Sequence, residues 1–272
     1  MESQVRQALI AATARLATIT DTPRLDAELL LAHALGITRD RLILDPPDHV
    51  PAGFAALIER RMAHEPLAYI TGRRDFWTIT LAVGPGVLIP RPDSETLIEA
   101  ALEHFAARPP ATILDLGTGP GTLLLAALYE FQNAQGLGVD ASEVALDYAR
   151  RNADALCLSR QARFEQGDWG AGLSGRYDLI LCNPPYVESD AALAPEVLNE
   201  PHSALFAGPE GLDDYRRLAP QIARLLAPEG CACVEIGYTQ AEAVSALFAA
   251  QGLSVLVRRD LGGRDRCLLV RR

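Results

Sequence analysis

The spacing of apolar residues divides the chain into two unlike parts. Val5, Leu9, Ala12, Leu16 and Ile19 recur at steps of three and four, the period of one helix face. Thr22-Pro23 reads as a second helix start, a hydroxyl N-cap before a proline in the first turn. That helix is expected to bury Leu25, Leu29, Ala32 and Leu35 and to stop at Gly36. Beyond the Pro46-Pro47 break, a third helix is expected to bury Phe54, Leu57, Ile58 and Met62. Residues 1–65 thus predict a small helical bundle.

The pattern then shortens. Tyr69-Ile70, the run Phe76 to Leu81, and Val87-Leu88-Ile89 are β-rich and separated by Thr71-Gly72 and Gly84-Pro85-Gly86, so residues 66–92 predict a β-hairpin connector. Pro90-Arg91-Pro92 ends it, and Asp93 or Ser94 caps a helix running to about residue 107. In the rest, residues 93–272, strand patterns fall at 112–116, 136–139, 162–165, 178–182, 231–236, 253–257 and 267–270. Helical stretches lie between the early ones, the longest around 142–156 and 211–227. Such alternation predicts an α/β domain whose mainly parallel sheet is covered on both faces and binds ligands at the carboxyl ends of its strands.

Composition narrows the class. At 272 residues, 49% of them apolar and 22% charged, the chain has room for one large core and a smaller one. No apolar run approaches the roughly 18–20 residues of a membrane span, and the start, MESQVRQALIAATARL, is too polar for a signal peptide; a cytoplasmic protein is expected. Cysteines at 157, 182, 231, 233 and 267 are odd in number and lack paired two-residue spacings, which supports neither a disulfide framework nor a zinc site. The net charge of −10 is uneven: residues 1–75 hold 9 basic and 10 acidic residues, and the remainder 16 and 25. That excess repels a phosphate backbone and argues against duplex DNA as a partner.

A strand then runs into Asp115-Leu116-Gly117-Thr118-Gly119-Pro120-Gly121. Glycines let the backbone pass close beneath a ligand, and the helix that follows offers unpaired amides. The spacing G-x-G-x-G differs from the G-x-G-x-x-G that cradles a pyrophosphate, and the acid before it suits a ligand of positive charge. The cationic sulfonium of S-adenosyl-L-methionine, with its amino-acid tail, fits better; a tight turn with no ligand is the plain alternative. Asp140 ends the next strand, about twenty residues on, where an acid bonds both hydroxyls of a ribose or caps the helix starting near Ser142. Asp168-Trp169 closes the third strand. A carboxylate beside an indole can accept an adenine amino group and cover the ring, although Trp169 also reads as core filler.

The apolar strand Leu179 to Cys182 ends in Asn183-Pro184-Pro185-Tyr186. Prolines cannot donate to a ladder, so this is not mid-strand, and two of them fix an extended backbone. The Asn183 amide oxygen and a nearby main-chain carbonyl are left free as acceptors for the two N–H donors of a planar NH₂ group, while Tyr186 offers it an aromatic face. The lone pair of such a nitrogen is delocalised and the motif holds no strong base. Catalysis there rests on holding nitrogen, methyl carbon and sulfur in line, which can lower a barrier by roughly 7–11 kcal/mol. Asn183, Pro184 and Tyr186 are the catalytic candidates.

Glu65 to Gly72, Phe76-Trp77, Leu88 to Glu95, Leu114 to Gly121, Asp168-Trp169, Asn183 to Tyr186, Glu200-Pro201 and Gly211 to Tyr215 together strongly resemble the release factor glutamine methyltransferases, the HemK or PrmC proteins. The resemblance implies a helical substrate-recognition domain joined by a β-hairpin to a seven-stranded, Rossmann-like class I methyltransferase domain. It implies S-adenosyl-L-methionine on Gly117, Thr118, Gly119, Pro120, Gly121, Asp140, Trp169 and Asn183, and walls from Ile89 to Glu95. The glutamine of the Gly-Gly-Gln loop of peptide chain release factors would lie against Asn183, Pro184, Pro185 and Tyr186 and become N5-methylglutamine, tuning translation termination. A monomer is expected. Pro120 departs from the family's usual threonine or serine, Leu123-Leu124-Leu125 is bulkier than its usual helix start, and Asn199 stands where an aromatic is common.

Rival readings remain. A ribosomal-protein glutamine methyltransferase shares connector and tetrapeptide. An adenine-N6 DNA methyltransferase shares the tetrapeptide but needs a basic region and must flip its base out, which the charge opposes. An NAD-dependent oxidoreductase explains the glycine loop and Asp140 and leaves Asn183 to Tyr186 without a purpose. A non-catalytic binding protein predicts a damaged tetrapeptide.

Overall fold

The computed structural model describes residues 4–272. By its contacts the chain forms two compact units, one reaching to Arg73 and taking in Leu193–Asn199, the other made of Arg74–Ala192 and Glu200–Arg272.

The first unit is helical, with α1 (Gln4–Leu16), α2 (Pro23–Leu35), α3 (Arg39–Leu44), α4 (Phe54–Met62) and α5 (Leu67–Thr71). Its core joins Val5, Leu9, Ala12 and Leu16 of α1 to Leu30 and Leu31 of α2 and to Phe54 and Ile58 of α4. Two expectations need correction. α2 buries Asp26, Ala27, Glu28, Leu30, Leu31 and Ala32, while Leu25 is exposed and Leu29 and Leu35 only half-buried. The inward acids are paired: Arg61 of α4 meets Asp26 at 2.8 Å, and Arg24 and Arg39 close on Glu28 at 2.5 and 2.8 Å. A helix apolar nearly all round is oriented by its ion pairs, which apolar spacing cannot reveal. Likewise Tyr69-Ile70 lies in α5 and not in a strand, because Pro66 starts a helical turn that Gly72 ends in the left-handed region at φ 73°. Leu193–Asn199 joins this unit through Glu196, 2.7 Å from Arg61, and Asn199, whose Nδ2 donates to the His64 carbonyl at 3.1 Å.

The second unit opens with a hairpin, β1 (Arg73–Phe76) and β2 (Ile79–Ala82). The single run Phe76 to Leu81 is broken because Trp77 takes φ 53°; its backbone N–H donates to Glu95 Oε1 at 2.8 Å and its indole N–H to Glu130 Oε1 at 2.7 Å. Val87 and Ile89 are buried and Leu88 half-buried, but the stretch is not a strand, since the Ile89 N–H is taken at 2.8 Å by the carboxylate of Glu200. A 3-10 turn at Pro92–Ser94 leads into α6 (Glu95–His104).

The sheet comprises β3 (Thr112–Leu116), β4 (Gln135–Asp140), β5 (Ala162–Gln166), β6 (Tyr177–Cys182), β7 (Leu226–Glu235), β8 (Ser254–Arg259) and β9 (Asp265–Arg271), in the order β5-β4-β3-β6-β7-β9-β8. β9 runs antiparallel to both neighbours, and the other pairings are parallel. Between the strands lie α7 (Thr122–Glu130), α8 (Glu143–Ala155), α9 (Asp213–Leu225) and α10 (Ala241–Ala249). Tyr215, Leu218 and Ile222 of α9 pack on Leu114, Ile180 and Val234 of the sheet. The chain reverses direction across the sheet between β3 and β6, and a doubly wound sheet opens a crevice at the carboxyl ends of such strands.

Candidate active site

A cleft of about 300 Å³ occupies that crevice, lined by Gly117 to Pro120, Asp140, Asp168, Trp169, Asn183 and Pro185, and by Pro90, Arg91 and Ser94 from the turn before α6. A smaller recess lined by Arg91, Asn183 to Val187 and Glu235 adjoins it through shared residues.

The three loop glycines all have positive φ, but each stands in a different surrounding. A Cβ on Gly117 would come within 2.7 Å of the Trp169 ring, and one on Gly121 within 2.8 Å of Leu125. At Gly119 it would meet nothing within 4 Å, so this residue leaves an open cradle. Beneath the loop, Asp115 is 1% exposed. Its Oδ2 accepts from the Thr118 hydroxyl at 2.7 Å and the Leu124 amide at 3.2 Å, and Oδ1 has no partner. Burial pushes its carboxyl up to about 7 against those bonds, with Asp140 adding to the rise. A cation in the cleft would compensate this charge. The Pro120 carbonyl accepts from Asn152 Nδ2 at 2.9 Å, and Asn152 also bridges to both backbone groups of Ala82; this brace on the hairpin holds the loop where a proline has no N–H of its own to offer.

Asp140 takes the Gly119 amide on Oδ2 and the Ser142 amide on Oδ1, both at 2.8 Å. Each oxygen keeps lone-pair capacity for a further donor, as a pair of ribose hydroxyls requires. Ser142, not Asp140, is the N-cap of α8, its hydroxyl accepting from the Ala145 amide. Burial raises the Asp140 carboxyl, opposed by the Ser142, Gly119 and Ala141 amides. Asp168 is turned outward and gripped through both oxygens by Arg217 at 2.6 Å. The Trp169 indole N–H donates to Asp214 Oδ1 at 3.2 Å. Asp214 and Arg217 of α9 also line the cleft, and neither was legible as a site residue, since acids in a helix's first turn are ordinary. The open cradle, an unpartnered buried acid, a carboxylate at a strand end and an indole face suit a cationic adenosyl ligand.

The tetrapeptide follows β6 directly. Pro184 and Pro185 are buried. Asn183 Nδ2 donates to the Ser94 hydroxyl at 3.1 Å, and among the described residues no hydrogen bond engages Asn183 Oδ1. The Tyr186 carbonyl accepts from Gln240 at 3.1 Å, and its hydroxyl donates to Glu235 Oε1 at 3.2 Å. Burial, and then Glu235, raise the phenol well above its ordinary value. Glu235 is itself 1% exposed, and burial lifts its carboxyl to about 7 despite the pull of Ser94, Arg266 and Tyr186. Arg91 and Ser94 fall in the stretch from Ile89 to Glu95 expected to wall the pocket, and both line the cleft; Glu235 is a functional candidate that the sequence reading missed. The signal for Glu235 was available, because it is the one acid in the apolar run 231–236, as Asp140 is in its own strand.

Comparison with known proteins shows the family of the chain. Residues 7–72 match the model of the PrmC N-terminal domain and residues 108–252 that of a methyltransferase domain. The chain is 45% identical to a release factor glutamine methyltransferase of Caulobacter vibrioides, over 92% of this chain and 89% of that one. It is 46% identical to one of Rhodospirillum rubrum, over 93% and 80%, and 45% identical to one of Cereibacter sphaeroides, over 97% of each. Among solved structures, a methyltransferase from Pyrococcus furiosus superposes with a TM-score of 0.54 at 20% identity, covering 70% of this chain and 86% of that one. A 16S rRNA methyltransferase of T. thermophilus, solved with AdoMet and guanosine, gives 0.52 at 20%, covering 74% and 50%. These last two share the fold.

Proposed function

Because the chain belongs to the family of release factor glutamine methyltransferases, we propose that its tetrapeptide holds the side-chain amide of the glutamine in a release factor's Gly-Gly-Gln loop for methylation on N5. The chain is an S-adenosylmethionine-dependent protein glutamine methyltransferase. Bound S-adenosylmethionine supplies an electrophilic methyl group on a sulfonium.

On this reading Gly119 gives the cofactor room, Asp140 accepts from its ribose, Trp169 covers its adenine, and Asp115 offsets its positive charge. The ion pair between Asp168 and Arg217 flanks that end of the cleft. Asn183 Oδ1 and the Pro184 carbonyl receive the two N–H donors of the substrate amide, and Tyr186 and Pro185 restrict its tilt. Two acceptors aimed at one nitrogen orient its lone pair toward the methyl group, and they bind more strongly as that nitrogen gains positive charge. The released proton passes to water. Residues up to Arg73 form the part that recognises the release factor. The chain acts in the cytoplasm as a monomer and does not bind duplex DNA.

The observation that carries this reading is the Asn183 amide, anchored by its nitrogen to Ser94 with its oxygen left for a ligand. The test is incubation of the enzyme with labelled methyl donor and purified release factor. Label is expected in the release factor and absent when the loop glutamine is replaced by alanine. Label retained by the alanine variant, or appearing only in a ribosomal protein, would refute the assignment.

A further inference from the structure

We propose that Arg91 anchors the carboxylate of the cofactor's amino-acid tail and is held ready for it by Glu200. The inference deepens the reading above and rests on it, since it takes the adenosyl group to lie by Asp140 and the methyl group to face Asn183.

Beyond its ribose, S-adenosylmethionine carries three charges: a sulfonium, an ammonium and a carboxylate. The first two suit a cleft rich in acid, and the third does not. Among the described residues that line the cleft, Asp115, Asp140, Asp168 and Asp214 are the acids, and Arg91 and Arg217 are the cations. A carboxylate entering among four acids is repelled unless a cation meets it. Arg217 is already committed: it holds Asp168 through both oxygens at 2.6 Å and stands 3.5 Å from Asp214. Arg91 has donors to spare. Its Nη2 pairs with Glu200, and among the described hydrogen bonds none engages its Nε or Nη1. A guanidinium has five N–H donors, so one carboxylate partner leaves others for a second. The Arg91 side chain is 35% exposed, which keeps those donors open to a ligand.

The place of Arg91 is also that of the tail. A sulfonium bears three groups. With the adenosyl group toward Asp140 and Trp169 and the methyl group toward Asn183, two walls are left for the third: the start of α7 and the turn before α6. Arg91 stands in that turn, three residues before the Ser94 that accepts from Asn183. It lines both the cleft and the recess beside the tetrapeptide. Glu200 fixes it there. The Glu200 side chain is 2% exposed, and its second oxygen takes the Ile89 amide at 2.8 Å. One buried carboxylate thus ties down both the arginine and the backbone two residues before it. The Arg91 carbonyl accepts from the Ser94 amide at 3.1 Å and closes the turn. The rival anchor is the start of α7, since the unpaired N–H groups of a helix also attract an anion.

The intact enzyme is titrated by calorimetry with S-adenosylmethionine and with its decarboxylated form, which lacks that one group. The wild type is expected to bind the first about ten- to a hundredfold more tightly, the scale of a charged hydrogen bond. In Arg91→Met that ratio is expected to shrink at least fivefold. The loss should fall on the complete cofactor, with the decarboxylated form staying within threefold of its wild-type Kd. The ratio is taken within each protein, so a general loosening of the cleft cancels. Equal affinities in the wild type overturn the inference without any variant. A ratio in Arg91→Met within twofold of the wild-type one also overturns it and hands the carboxylate to α7. Arg91→Met leaves Glu200 buried without its cation, so Arg91→Met/Glu200→Gln is titrated beside it and decides by the same ratio if the single variant does not fold. Asp140→Ala should weaken both ligands alike. If it changes neither, the reading beneath fails, whatever Arg91 does.

Discussion

Asp115 and Glu235 make an instructive pair. Each is a carboxylate 1% exposed at the C-terminal end of a β-strand or one residue short of it, each has one oxygen without a close partner, and each is raised by burial to about 7. Their surroundings differ in sign and in range. Asp115 is bonded by Thr118 and Leu124, within nine residues of it, and the charge that raises it further is another acid, Asp140. Glu235 is bonded by Tyr186, 49 residues away, and lies near a cation, Arg266. The first acid therefore gains most from a positive ligand, whereas the second already has its counter-charge and is suited to orienting neutral groups.

The predictions test that division. Asn183→Ala should have the largest effect, at least about a hundredfold in kcat, the scale on which one transition-state hydrogen-bonding group acts, with cofactor affinity changed little. Near wild-type turnover would show that the amide is not gripped there. Asp140→Ala should come next and raise the cofactor Kd about ten- to a hundredfold, as loss of a charged hydrogen bond does; calorimetric titration giving an unchanged constant would remove Asp140 from the ribose.

Proton linkage separates the two buried acids more finely. Their folded pKa values lie above the unfolded carboxylate values near 4, so their stabilising contribution is complete below about pH 4 and is lost as pH rises through about 7. The Tm of the ligand-free enzyme should then fall by roughly several degrees between pH 5 and 8. Cofactor affinity should move the other way, rising through pH 7 as Asp115 becomes anionic. Asp115→Asn should abolish that rise and Glu235→Gln should leave it intact; the same response in both variants would erase the distinction. The smallest effect is expected at the exposed pair of Asp168 and Arg217, where Arg217→Ala should alter cofactor affinity by no more than about twofold.

The two acids also mark what the sequence could disclose. The glycine loop, Asp140 and the tetrapeptide are contiguous stretches whose residue types state their chemistry, and the seven strands follow from apolar runs bounded by turns. Glu235 acquires meaning only when β7 is brought to the tetrapeptide, 49 residues from Tyr186. α2 was misjudged for a related reason, because Asp26 and Glu28 face inward to arginines distant in the chain. Trp77 divides a β-rich run because Glu95 and Glu130 hold it, and no property of the run itself announces this. Periodicity reports burial by solvent exclusion and is silent about burial by pairing.

The strap at Leu193–Asn199 has a practical consequence for dissecting the molecule. Arg61, 4% exposed in its side chain, answers to Asp26 within the helices and to Glu196 from the strap. A fragment cut after Arg73 would keep the first acid and lose the second, and the complementary fragment would carry a peptide segment severed from the helices it packs on. An excised helical module should therefore melt earlier than the same helices do in the intact chain, and supplying residues 193–199 as a separate peptide should recover part of the loss.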